Sequence, residues 1–452
     1  MNRDVLIAGG GIAGLTAAYE LSRRRVDCLV VEKEDRLGGL IFTKFRDGFV
    51  MDCGPDAFLA SKPHATALCD ELGLSAELVG TNPEERNVYV LHRGKLRPLP
   101  EGMRLTAPTR IAPLLFSSLF SFGGKLRLLV EPFVPRRREA EESIASFVSR
   151  RFGREALERV GEPLLAGIHC GDPEKLSMDF LFPRFVALET EYGSVTWGML
   201  KTSKPEGATF LSLQSGMGRL VERLRDALPS DAFRLGIGVS AIRSESGGFV
   251  TTLESGESIR SRAVLLALPL PVAARLVKVA SAGLSRSLAR IPMASTAVVF
   301  HGFRRADVDH PLDGYGFVVP SGERSRLLAA TFVTTKFPHR AAKDHVLLRT
   351  FLGGSRDPDV LRLEDSEIAE LSLGELGQAI GRLGDPLFSN VVRWELRTPQ
   401  VLLGHGAILA SRDRELAARP GLYVLANGLD GVGIPDSIAS ARECALRIAT
   451  WL

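Results

Sequence analysis

Chemistry is first readable in this chain at a run of glycines. Gly9-Gly10-Gly11-Ile12-Ala13-Gly14 follows a short apolar stretch and opens an amphipathic one. At a strand-to-helix turn each glycine has a task. Gly9 permits the tight turn, Gly11 lets the backbone approach a pyrophosphate, and Gly14 lets helix and strand pack closely. A helix starting at Ile12 offers free N–H groups to phosphate oxygens. An acid, Glu32, closes the next apolar run 18 positions after Gly14. A carboxylate there accepts both ribose hydroxyls and disfavours a 2′-phosphate, so the spacing selects a dinucleotide other than NADP.

These residues need elements to hold them. Val5-Leu6-Ile7 shows no alternation, as a buried strand of a parallel sheet requires. A helix is expected through Leu15, Ala18 and Leu21 to the basic end Arg23-Arg24-Arg25, then a second strand, Cys28-Leu29-Val30-Val31. Regular structure resumes at 211–228, with strands expected over 233–239, near 249–253 at an edge, and over 263–268. The last stops at Pro269 and Pro271, which cannot continue a central strand. Near the carboxyl end, 421–428 reads as a strand entering a glycine turn, and Gly431-Val432-Gly433-Ile434-Pro435-Asp436 opens a helix through Ile438, Ala441, Ala445 and Ile448. Pro435 suits a first helical turn, where its missing N–H is no loss.

Between these blocks, 81–205 is rich in helix signals and broken by prolines, while strand-like runs at 296–300, 326–332 and 345–351 read as a second sheet. The expected division is one dinucleotide domain interrupted twice (1–80, 206–285 and 390–452), a helical lobe at 81–205 and a substrate lobe at 286–389. The fold class is α/β, with a Rossmann-like domain, an inserted helical lobe and an α+β substrate domain.

Residues Glu32-Lys33-Glu34-Asp35-Arg36-Leu37-Gly38-Gly39, followed by Asp52-Cys53-Gly54-Pro55, carry more than the glycine fingerprint. The pattern Glu-x3-Arg-x-Gly-Gly resembles the superfamily of flavin amine oxidases, phytoene desaturases and protoporphyrinogen oxidases. That resemblance implies non-covalent FAD on a glutathione reductase-type, amine oxidase-like domain. It implies cofactor contacts at Gly9, Gly10, Gly11, Ile12, Ala13, Gly14, Glu32, Lys33, Arg36, Gly38, Gly39, Leu40, Gly54, Pro55, Asp56 and Ala57. Further contacts are expected at Val239 beside adenine, at Trp394, and at Val432, Gly433 and Ile434. The helix after Gly433, aimed at the flavin pyrimidine, would stabilise the negative charge of the reduced ring.

Three further stretches look most like porphyrinogen oxidases, acting on protoporphyrinogen IX or coproporphyrinogen III. They are 93–100 with Arg97, 162–178 with Gly167, and 393–405 with Trp394. His169 departs from the pattern, since relatives often have Tyr there. By the resemblance, Arg97 would pair with a substrate propionate, as a guanidinium fork suits a carboxylate. The Gly167 backbone would lie beside flavin N5, and Val318 and Phe337 would sandwich the macrocycle. The activity implied is three rounds of oxidation by oxygen, releasing hydrogen peroxide, as a step of haem biosynthesis. No side-chain base is assigned; His169 and His339 are candidates only. An amine oxidase and a non-catalytic binding protein on the same scaffold are the alternatives, and the intact Glu32, Arg36, Gly38 and Gly39 argue against the second.

Composition narrows the rest. Of 452 residues, 57 are Lys or Arg and 53 Asp or Glu, a net charge of +4. Four charges in excess, with no basic motif, do not point to nucleic acid. The run Arg136-Arg137-Arg138 is answered at once by Glu139, Glu141 and Glu142, as on a solvated face. Five scattered cysteines include no CxxC pair, so no disulfide framework or metal site is expected, and Cys444, mid-helix, does not suit a covalent flavin. No secretory leader or membrane span is expected, and the cytoplasm is the default location. Two readings stay open for 103–135, with Ile111, Leu114, Leu115, Phe116, Phe120 and Phe122 between Arg104, Arg110, Lys125 and Arg127. It is either an ordinary helical lobe or a surface resting on the inner face of the cell membrane. The partners expected are the tetrapyrrole and oxygen, with a homodimer left open.

Overall fold

A computed structural model describes residues 2–104, 106–136, 141–202 and 208–452, and residues 165–167 by backbone alone. Arg137, Arg138 and Glu139 of the basic run, and the expected boundary at 205/206, lie outside these residues.

The strand Asn2–Ala8 sits centrally in a seven-stranded sheet, parallel to Cys28–Val31 on one side and to Ser258–Ala267 on the other. The short strand Phe233–Arg234 extends the first side, and Leu422–Leu425 pairs with Ser258–Ala267 on the second. Val5 and Ile7 face the helices Ile12–Arg23 and Ile434–Trp451, with Ala18, Leu21, Ala441 and Ile448. Leu6 and Ala8 face the opposite cluster with Leu266, Leu276 and Leu284. Burial on both faces is why the first strand is apolar without alternation.

Two expectations for this domain are corrected. Residues 233–239 are not one strand: Phe233–Arg234 ends before Gly236, at φ +71°, and Val239–Glu245 begins a separate antiparallel meander. Val239–Glu245, not Gly248–Leu253, is the edge, because Gly248–Leu253 pairs on both sides.

The second sheet has the order Phe388–Pro399, Met293–Arg304, His345–Gly353, Leu327–Phe332, Gly316–Val318, Val88–His92, Lys95–Pro98. Two expected boundaries move as a result. Val88–His92 and Lys95–Pro98 lie in the stretch read as helical, yet they complete this sheet. Pro98 is tolerated because it ends an edge strand, where no ladder partner needs its N–H. Phe388–Pro399 runs across the boundary placed at 390. One face of this sheet packs on the helix Asp365–Ile380 through Leu348, Leu352 and Phe303. The other faces residues 49–53 through Phe300, Val298 and Leu347, and the helical lobe through Val90, Val318 and Ala329.

The helical lobe is stacked from short helices, including Ile111–Phe116, Phe122–Leu129, Ile144–Phe152 and Glu162–His169. Its interior holds an ion-pair network. Fully buried Arg151 lies 3.2 Å from both Glu131 and Glu189, and Arg150 bridges Glu189 and Glu142. Charges this deep persist because each is paired.

Candidate active site

The glycine fingerprint has the shape its spacing predicts. Gly9, at φ +106°, donates its N–H to Val31 O at 2.8 Å, and a Cβ there would lie 2.2 Å from Ala267 O. A Cβ on Gly14 would lie 2.0 Å from Gly9 O. Gly11 differs, since a Cβ on it would meet no protein atom within 4 Å. The helix Ile12–Arg23 begins there with no side-chain cap and no acid in its first turn. Its leading N–H groups therefore face open space, as an anion-binding helix start requires. Glu32 accepts from Gly10 N–H at 2.7 Å and Glu34 N–H at 3.0 Å, so its carboxylate stands at the mouth of the turn.

The second motif closes on the first. Gly38 N–H donates to Gly10 O at 2.8 Å, and Gly39 lies against Gly11. Arg36 donates to Gly39 O at 3.0 Å and stacks 4.0 Å from the Phe42 ring centroid. Lys33 turns away, to Glu254 at 3.3 Å. A Cβ on Gly54 would lie 1.8 Å from Leu40 O, so the segment beginning at Asp52 is pressed onto the Leu40 turn. At the carboxyl end, Gly433 starts the helix Ile434–Trp451 with no side-chain cap, while first-turn Asp436 is turned toward Lys62 at 2.6 Å. Val239 is nearly buried at the start of its strand. A turn closed by protein at Gly9, Gly14 and Gly54 but open at Gly11 fits the pyrophosphate of FAD.

Residues 52–56 are gripped from the second lobe at four points. Arg340 donates to Asp52 at 2.7 Å, Trp394 Nε1 to Cys53 O at 3.0 Å, Arg349 to Gly54 O at 2.7 Å, and Lys336 to Asp56 at 2.8 Å. Burial alone would raise the Asp56 carboxyl, but Lys336, Arg349 and Arg340 together hold it at about 2. For Asp52 burial wins, and its carboxyl is raised despite Arg340, Thr43 and the Met217 N–H. Sequence reasoning missed Arg340, Lys336 and Arg349 as parts of this contact. One signal was available for Arg349, the sole charge between Val346 and Gly353, because a lone cation in a buried strand must have a purpose.

Strand register lays out the floor beside this contact. Val392, Val298, Phe351, Ala329, Val318, Val90 and Arg97 stand opposite one another in turn across all seven strands. Directly opposed residues share a face, so six apolar side chains end in a guanidinium. At about 4.8 Å per strand, Arg97 stands about 19 Å from Phe351. Arg349 is in the next row, opposite Phe300 and Thr331. The helix Glu162–His169, which contains Gly167, and the π-helical turn Leu157–Gly161 roof this face. The roof closes over Val90, which is buried, while Arg97 and Phe351 at the two ends are half-buried. Arg97 has no ion-pair partner among the described residues.

One expected position is corrected. Phe337 has 0% of its surface exposed, wedged between Lys336 and Arg340 with its ring 5.1 and 5.5 Å from their charges. It supports the grip on Asp52 and Asp56 and lines no slot. Val318 stands in the cross-strand row but is itself buried against the helical lobe. His169 is buried against Phe182, and burial lowers its imidazole to about 4; burial and Arg340 do the same for His339. Both are neutral near pH 7.

A largely parallel nucleotide-binding sheet with an antiparallel extension, fastened to a second sheet with an apolar, arginine-ended row, is the frame of a flavoprotein oxidoreductase. A profile described as flavin containing amine oxidoreductase matches residues 12–449, and the chain belongs to that family. FAD is its cofactor. The chain is 32% identical to coproporphyrinogen III oxidase of Bacillus subtilis (strain 168), over 100% of this chain and 98% of that protein. It is 31% identical to protoporphyrinogen oxidase 1, chloroplastic, of Arabidopsis thaliana, over 99% and 88%. A crystal structure from Exiguobacterium sp. 255-15, provisionally assigned as a protoporphyrinogen oxidase, superposes with a TM-score of 0.89 at 30% identity, covering 99% of both chains. Cyclohexylamine oxidase from Brevibacterium oxydans IH-35A shares the fold, with a TM-score of 0.72 at 19% identity, over 100% and 99%.

Proposed function

We propose that this chain oxidises a porphyrinogen, protoporphyrinogen IX or coproporphyrinogen III, to the porphyrin in haem biosynthesis, with oxygen as acceptor. The carrying observation is the cross-strand row that runs from beside residues 52–56 to Arg97, which has no ion-pair partner among the described residues. FAD, when bound, supplies a two-electron hydride acceptor that oxygen restores with release of hydrogen peroxide. The chain's residues do the rest by holding the substrate. Half-buried Phe351, backed by Ala329 and Val318, offers apolar surface to a macrocycle, and Arg97 a bidentate partner for a propionate. Gly167, in the roof helix, presents backbone where a side chain would block approach. The neutral His169 and His339 are assigned no proton transfer, because macrocycle N–H groups become acidic once a ring carbon is cationic.

The test is direct. Protein loaded with FAD and absorbing near 450 nm should raise porphyrin fluorescence under air, with peroxide, from one or both porphyrinogens. Turnover of neither above autoxidation, or of a primary amine instead, overturns the reading.

A second proposal concerns the surface of the helical lobe. Among the described residues no helix is long and apolar enough to cross a membrane. Yet Phe116, Phe122 and Phe133 are 90%, 84% and 86% exposed, on three consecutive short helices packed on one another, with Ile111, Leu115 and Leu126 also exposed. Such aromatic tips beside Lys125 suit a lipid headgroup layer. An apolar substrate gives that contact a use.

A further inference from the structure

Three cations and two carboxylates meet at residues 52–56, and two of the cations are spoken for. Arg340 pairs with Asp52 at 2.7 Å and Lys336 with Asp56 at 2.8 Å. The third, Arg349, has no carboxylate within ion-pair distance among the described residues, and it donates a hydrogen bond to the Gly54 carbonyl. It is 5% exposed, lies 4.6 and 5.4 Å from the Phe351 and Phe300 ring centroids, and its Nε has no hydrogen-bond partner among the described residues. A guanidinium stays charged in proteins, and Asp52 and Asp56 balance only two of the three cations, so this contact carries a net positive charge in a water-poor place, where charge acts at greatest strength.

We infer that Arg349 is a positioning and tuning residue, which fixes the Gly54 backbone and biases the bound flavin toward its reduced, anionic state. The reasoning needs only that residues 52–56 border the cofactor. It rests on the flavin reading and not on which substrate is oxidised. A ring that gains negative charge on reduction is stabilised by a nearby buried cation, and its reduction potential rises. The same arithmetic gives Asp56 the opposite sign, since its carboxylate cancels Lys336.

The experiment measures the flavin midpoint potential of the purified holoprotein by dye equilibration, without substrate. Arg349→Gln keeps a donor for the Gly54 carbonyl and removes the charge. It should lower the two-electron reduction equilibrium about tenfold, or about 30 mV. Arg349→Lys should restore most of that, and Asp56→Asn should shift the potential upward. Unchanged potentials in flavin-loaded Arg349→Gln and Asp56→Asn would reduce Arg349 to a packing role and overturn the inference. Should Arg349→Gln fail to retain FAD, Asp56→Asn decides alone, and no upward shift overturns it. Since no porphyrinogen enters the measurement, a wrong substrate assignment leaves the result intact.

Discussion

Arg97 stands directly across from Val90 at the outer edge of the second sheet. Val90 in turn opposes Val318, which extends the line toward the residues that clasp residues 52–56. A cation at the end of an apolar row is what the proposed function would use to anchor a greasy molecule with a carboxylate at its rim. Arg97 and Phe351 lie about 19 Å apart by strand spacing, with Val90, Val318 and Ala329 buried between them.

Arg97→Ala tests the anchor. A charge-assisted hydrogen bond to a carboxylate contributes about 1.5–3 kcal/mol, so KM for a porphyrinogen should rise by roughly 10- to 100-fold. Flavin content, read at 450 nm, should not change. An unaltered KM would remove Arg97 from the substrate site.

The glycines make a paired prediction that separates ligand space from packing space. Gly11→Ala adds a methyl group that touches no protein atom. The melting temperature of the flavin-free protein should hold, while FAD affinity falls at least about tenfold. Gly14→Ala drives its methyl to 2.0 Å from Gly9 O, and should destabilise the fold itself by about 2 kcal/mol or more. Equal FAD binding in Gly11→Ala and the parent protein would show that no pyrophosphate approaches there.

Replacing Phe116, Phe122 and Phe133 together by Ser should abolish co-sedimentation with anionic phospholipid vesicles. Turnover of detergent-dispersed substrate should remain. If the parent protein ignores vesicles at low salt, the lipid contact is wrong.

Acid should weaken the protein in two stages. His169 and His301 are lowered by burial to about 4, against about 6.5 when unfolded. The unfolded chain then binds more protons, so their contribution is complete above pH 6.5 and lost as pH falls toward 4. The upper bound is about 3 kcal/mol for each. Asp56, held at about 2, adds a loss only below about pH 4. The melting temperature should be flat above pH 7 and fall steeply between 6.5 and 4. His301→Gln, which leaves Ser372 and Ser389 a hydrogen-bonding neighbour, should shallow that slope. A melting temperature equal at pH 7 and pH 5 would contradict the assignment.

Local order determined much of this protein. The strand at Val5-Leu6-Ile7, the turn Gly9 to Gly14, the acid at Glu32 and the pair Gly38-Gly39 are contiguous in sequence, and their backbone demands are met within a few residues, so residue type alone announces them. The Gly431–Asp436 turn before the last helix was legible for the same reason. What only the tertiary structure decided lies between strands far apart in the chain. Arg97 joins Val318 across more than 200 residues because pairing register, not sequence proximity, chooses neighbours in a sheet. Phe337 illustrates the reverse. An aromatic beside two cations reads equally as a ligand platform or as filler, and only its complete burial between Lys336 and Arg340 shows that it props an ion-pair cluster. Arg349 was visible as an oddity in an apolar strand. Its meaning came from the Gly54 carbonyl, which folding brings from 295 residues away, because a buried charge takes its role from whatever the fold places around it.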